Sequence, residues 1–240
     1  MAHKYRKGLY CTIPIFLLLF FVSCQKHDIT PTFTADTDTQ TTSMQFVDTS
    51  HENSKVVIAY PELFNDRKNF DGFNQAIKHY VSTCAEEVYP EDYSNLTLNL
   101  KYEIKLLSDE MISIVFSGLG YVQKAAHPNH LFLAFNYSLA EEKTVKMSDY
   151  YTGIDLSFAA LFRKCMEEQF DSNRLPVFES IYKEDALIVD VLKKIDDRKG
   201  DYGFYFAEDG LGLCVPTIYA GGDYAVAEIP YQEIQAYMLH

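Results

Sequence analysis

Leu96, Leu98, Leu100, Tyr102, Ile104 and Leu106 alternate without a break with Thr97, Asn99, Lys101, Glu103 and Lys105. A period of two over this length fits a strand with one buried and one wet face. Half-buried strands of this kind belong to antiparallel sheets, because parallel strands are buried on both faces and lose the alternation. An all-helical chain is therefore excluded. Ser108-Asp109-Glu110 supplies a turn, and residues 111–117 read as the returning partner strand. Residues 131–139 read as a third strand. After Ala140-Glu141-Glu142-Lys143, a short fourth strand is expected around Val145 and Met147.

Helices flank this run. Phe70, Phe73, Ile77, Tyr80, Val81 and Cys84 recur at three- and four-residue spacing, the face of a helix of about five turns. A second helix is expected over 156–170, with Asp155 as its N-cap and Phe158, Leu161, Phe162 and Cys165 on its inner side. A third is expected over 184–195, with Leu187, Ile188, Val191, Leu192 and Ile195 inward. Residues 55–60 predict a strand stopped by Pro61. Residues 202–206 and 213–218 predict a hairpin across Glu208-Asp209-Gly210, residues 224–229 a last strand, and residues 231–239 a closing helix. Runs of strands with helices between them predict an α+β fold: a largely antiparallel sheet with helices packed on one face.

The amino terminus reads as an address. Lys4-Tyr5-Arg6-Lys7 precede an apolar run from Ile13 to Val22, which has the length of a signal-peptide core. The run closes on Phe21-Val22-Ser23-Cys24, which looks like the lipobox of a bacterial lipoprotein, with Phe21 where Leu is usual. The thiol of Cys24 would carry the acyl chains that hold the mature protein, as a palmitate-type lipoprotein, to a membrane. The expected division is a signal peptide over 1–23, a lipidated cysteine and flexible tether over 24–54, and one extracytoplasmic domain over 55–240. Residues 30–43 are polar and Thr-rich, with little to bury. Asp36 and Asp38 do not make a calcium loop, because its Gly and closing Glu are missing.

The net charge is −13, and the leader's three basic residues make the mature part more acidic still. Such a chain repels phosphate backbones, which excludes nucleic acid as a partner. It attracts basic proteins. Cys84, Cys165 and Cys214 remain after the leader and Cys24. One disulfide among them and buried free thiols are both compatible with their spacing.

Few residues invite chemistry. No Gly-rich phosphate loop and no Gly-x-Ser-x-Gly elbow occur. The acidic pairs Glu86-Glu87, Glu141-Glu142, Glu167-Glu168, Asp196-Asp197 and Glu208-Asp209 are sequence neighbours, which suits solvated faces better than a cleft. His127 and His130 flank Pro128, a poor spacing for a metal. The expectation is a protein without catalytic residues, metal or cofactor. Residues 118–129 read as a long connection between two strands, and such loops often bind ligands. Tyr121, Lys124, His127 and Asn129 are the candidate binding residues there.

Several short segments occur in the order and spacing of a known family. They are Ala59-Tyr60-Pro61, Ala126-His127-Pro128 before Phe135-Asn136-Tyr137, Phe204-Tyr205-Phe206 with Asp209-Gly210-Leu211, and Ile218-Tyr219-Ala220-Gly221-Gly222 before Ile229-Pro230-Tyr231. With them the chain resembles the extracellular domain of the bacterial lysozyme-sensing anti-sigma factor. It also resembles the related accessory domain of a peptidoglycan deacetylase, a domain of unknown function. The resemblance implies an α+β fold and a binding role outside the cell, toward lysozyme in one relative and the wall in another. The chain departs from the pattern at Ser148-Asp149-Tyr150-Tyr151, where Asp-Leu-Phe is usual. Only Met1 to Gly8 precede the apolar run, so no cytoplasmic sigma-binding segment is expected. The expected function is an envelope lipoprotein with a non-catalytic binding domain. Its partners would be the membrane, through the lipid, and lysozyme or another basic wall-active protein, or peptidoglycan. The rival readings are a wall hydrolase, a deacetylase accessory, or a structural subunit of an envelope complex.

Overall fold

A computed structural model describes residues 38–197 and 203–239. The leader and Cys24 lie outside the described residues. The elements run β1 (Gln40–Asp48), β2 (Lys55–Phe64), α1 (Asp71–Val88), β3 (Leu96–Leu107), β4 (Met111–Val122), β5 (Asn129–Ser138), β6 (Lys143–Thr144), α2 (Leu156–Gln169), α3 (Leu175–Ile181), α4 (Asp185–Leu192), β7 (Gly203–Phe206), β8 (Gly210–Pro216), β9 (Tyr224–Pro230) and α5 (Tyr231–Ile234). The fold is α+β, with mostly antiparallel strands.

The strands form two sheets rather than the expected single one: β1 to β6 in sequence order, and β7-β8-β9. Among the described residues only β2 and β3 pair in parallel, over Lys55–Ile58 of β2. Alternation sorts the faces. In the larger sheet Val56, Ile58, Leu98, Leu100, Ile114, Phe116, Leu133 and Phe135 share one buried cluster with Phe73, Ile77, Val81 and Cys84 of α1. The opposite face carries Val115 and Phe132, which pack on Tyr205 and Cys214 of the smaller sheet. The outer face of the smaller sheet, with Phe206, Leu211, Leu213 and Ile229, packs against Phe158, Phe162, Phe178 and Ile188 of α2, α3 and α4. Each sheet therefore carries its helices on one face, and the two remaining faces meet.

Several boundaries differ from the sequence reading. The stretch expected as tether through residue 54 enters the sheet at Gln40 and pairs with β2 in unbroken antiparallel register to Asp48. Thr41 and Thr42 sit on an edge strand, where only one side needs a partner. β2 does not stop at Pro61. Beyond Ile58 it has lost β3, and sheets admit proline where one side of a strand carries no ladder. Asn74 of α1 takes over there: its Oδ1 accepts from the Leu63 N–H and its Nδ2 donates to the Leu63 carbonyl, both at 2.9 Å. α3 has no counterpart in the sequence reading, because seven residues are too few to show a period. α4 is shorter than expected, and Leu187 lies exposed instead of inward. The expected closing helix shrinks to the four residues of α5 and a 3₁₀ turn. Met147 begins a 3₁₀ turn instead of a strand. The Asp155 cap forms as expected: its side chain accepts from the Ser157 and Phe158 N–H groups at 2.9 and 3.0 Å.

Candidate functional site: the bare half of the larger sheet

Half of the long binding loop of the sequence reading is strand. β4 runs through to Val122 and β5 begins at Asn129, with Gly118 opposite Leu131 and Gly120 opposite Asn129. The glycines that suggested a strand end are there because neighbours come too close. A Cβ at Gly118 would lie 1.9 Å from the Asn99 carbonyl oxygen, and one at Gly120 would lie 2.6 Å from the Tyr89 hydroxyl. Tyr121 therefore belongs to a strand and Asn129 opens one. Lys124 and His127 occupy the six-residue connection, Lys124 with φ 73°.

The smaller sheet covers only part of the larger sheet's second face. The covered part is stitched by polar groups. The Ser113 hydroxyl donates to Asn136 Oδ1, Asn136 Nδ2 donates to the Phe204 carbonyl at 2.8 Å, and the Phe206 N–H donates to Ser113 Oγ at 3.0 Å. Further along the same strands the cover ends. One cross-strand row there reads Val47, Val57, Asn99, Leu119 and His130. Thr97 and Tyr121 stand opposite each other in the next row. Leu119 is 46% exposed, Tyr121 39% and Val47 54%, high values for apolar side chains on a sheet face.

One rim of this bare half is built by the β8–β9 connection, whose conformation is tightly determined. The Thr217 N–H donates to the Asp223 carbonyl at 2.6 Å, and the Gly221, Gly222 and Asp223 N–H groups donate back to Ile218 and Tyr219. Gly222 has φ +84° and faces Arg174, whose Nη2 would lie 2.1 Å from an added Cβ. Arg174, just before α3, donates from Nε to the Gly221 carbonyl at 2.6 Å and from Nη2 to the Tyr224 carbonyl at 2.9 Å. Its guanidinium lies 4.8 Å from the Phe170 ring centre. The buried Asp223 carboxylate accepts from the His130 N–H at 2.7 Å and lies 3.2 Å from His130 Nδ1. The loop is thereby clamped to β5 and presents Tyr219, 51% exposed, stacked on His127 with ring centres 3.9 Å apart.

Of the four candidate residues, the structure brings His127 into an aromatic pair and puts Tyr121 on the bare face, with Lys124 and Asn129 at the hairpin end. His127 and His130 do not converge: one ring stacks on Tyr219, and the other meets Asp223. Among the described residues no cluster of three metal-ligating side chains occurs. The acidic pairs lie on separate elements. Asp196 has a structural task, accepting from the Met147 N–H at 2.6 Å and the Ser148 N–H at 3.0 Å. Cys84, Cys165 and Cys214 are buried, each in a different cluster, and form no disulfide with one another. Sequence reasoning missed Leu119, Ile218, Tyr219, Asp223 and Arg174. Only the Gly221-Gly222 pair after Tyr219 hinted at a shaped loop.

What these features define is an α+β domain with a half-bare sheet face and a rigid aromatic rim. No family model and no curated protein sequence matches the chain. Among solved structures it is similar to a DUF3298 family member from Bacteroides fragilis, with 18% identity over 87% of this chain and 96% of that one and a TM-score of 0.50. It is also similar to a DUF3298 family protein from Pseudomonas aeruginosa, with 10% identity over 84% of this chain and 94% of that one, again at 0.50. At these identities the likeness is one of fold.

Proposed function

We propose that the chain is an envelope lipoprotein, anchored through Cys24, whose domain is a non-catalytic binding module for cell-wall material. The observation that carries the binding reading is the bare half of the sheet, where Leu119 and Tyr121 stand exposed beside the His127–Tyr219 stack. A rigid shelf with aromatic faces loses little entropy on binding and suits the flat apolar faces of sugar rings. The lipobox-like end of the leader and the resemblance to wall-associated sensor domains support the location. Two measurements test it. Labelled palmitate should enter the wild-type protein and not a Cys24→Ala variant. Purified peptidoglycan sacculi should sediment the full-length protein from detergent solution, and Tyr219→Ala should weaken that retention. Failure of the first overturns the anchor, and failure of the second overturns the wall reading.

The net charge of −13 favours a second reading, in which the acidic outer surface engages a basic wall-active protein such as lysozyme. Pull-down with lysozyme at low and moderate salt separates the two, because charge-led association must appear at low ionic strength.

A further inference from the structure

The bare half of the sheet differs in charge from the rest of the molecule. In a chain with 34 acidic and 21 basic residues, the unpaired charges on the strands of this face are basic. Lys55 stands on β2 opposite Thr97, and Lys101 stands on β3 opposite Ser117, both exposed and on the bare side of the pleat. Lys124 is exposed at the hairpin tip. None of the three makes an ion pair among the described residues. The acid on this face is accounted for: Glu103 pairs with Lys105 at 2.8 Å, and Asp223 is buried beneath His130. Asn99 and Thr97, exposed between the lysines, add side-chain hydrogen-bonding groups.

Resting on the binding reading above, we propose that the shelf takes an acidic glycan, a sugar polymer carrying carboxylates. Aromatic faces of Tyr121 and Tyr219 pack on the rings, and Lys55, Lys101 and Lys124 meet the carboxylates. A neutral glycan would leave three ammonium groups unused. A basic protein would be repelled here while being attracted elsewhere on the surface. The acidic remainder of the molecule keeps polyanions from binding indiscriminately, which confines them to this face.

The test uses the full-length protein in mild detergent and three probes. They are peptide-free peptidoglycan strands with their muramic carboxylates, the same strands with those carboxylates converted to neutral amides, and neutral chitohexaose. The expected result is binding to the native strands, weakened about tenfold by amidation and similarly by a Lys55→Gln, Lys101→Gln double variant. Tyr219→Ala should weaken binding to native and amidated strands alike. Equal affinity for native and amidated strands overturns the charge assignment and leaves a glycan module standing. No binding to any of the three probes, by protein with wild-type circular dichroism, overturns both. Binding of native strands that the Lys variants do not weaken places the acidic site elsewhere and overturns this one.

Discussion

Asn136 holds the two sheets in register through one side chain. It accepts from Ser113 within the larger sheet and donates to the Phe204 carbonyl of the smaller one, while Ser113 accepts from the Phe206 N–H. All of these groups are buried, so removing the amide strands polar atoms away from water. Asn136→Ala should lower stability by about 2–4 kcal/mol in urea unfolding. Gly222 is the residue on which the aromatic rim turns. Gly222→Ala forces a side chain into φ +84° and against the Arg174 guanidinium. It should cost about 1–2 kcal/mol and reduce ligand retention, since Tyr219 depends on that loop. Burial pushes the Cys84 thiol up to about 12, and Cys165 and Cys214 are buried as well. All three should resist alkylation at pH 8 in the native protein and react once it is unfolded, as read by mass.

At the level of elements, β1 is the most instructive. Its first four residues are polar, yet it pairs along nine residues with β2. Its far end is held by Asp48, which accepts from the Tyr93 hydroxyl and from the Ser50 N–H at 2.7 Å. The Tyr93 hydrogen bond, followed by that of Ser50, keeps the Asp48 carboxyl below the usual carboxylate range. A lowered carboxyl contributes stability above its unfolded value, and that contribution is lost as pH falls through the folded value. Tyr93→Phe should therefore be less stable than wild type at pH 7, with the gap narrowing below about pH 4 in paired thermal melts. A gap that stays constant with pH would mean that Tyr93 acts by packing alone. α1 and β3 were legible because their buried positions repeat many times, at 3.6 and 2 residues. α3 has too few residues to repeat, and β1 buries too little to leave a pattern.

For the whole molecule, the arrangement is helix, sheet, sheet, helices, with each sheet keyed to its own helical cover. The two outer cores contain most of the buried apolar residues, and the layer between the sheets is small and partly polar. Leu106 and Met111 at one end of the larger sheet enter the core of the smaller one, which couples the halves. Unfolding should follow a single transition, with far-ultraviolet dichroism and tyrosine fluorescence coinciding. Two separated transitions would show that the sheets unfold independently. The incomplete overlap of the sheets is also what leaves the shelf bare, so the candidate site is a product of how the layers are offset.

The sequence by itself determined the fold class, the long β3–β4 hairpin, α1 and the capped start of α2, because each rests on a local rule repeated along a few turns or strands. It also named the hairpin end at Tyr121, Lys124, His127 and Asn129, with Tyr121 and Asn129 read as loop where the structure has strand. Tertiary structure alone decided that there are two sheets, that β1 belongs to one, and which half of a face stays open. Those outcomes depend on contacts such as His130 with Asp223, 93 positions apart, and no local period carries information over such a separation.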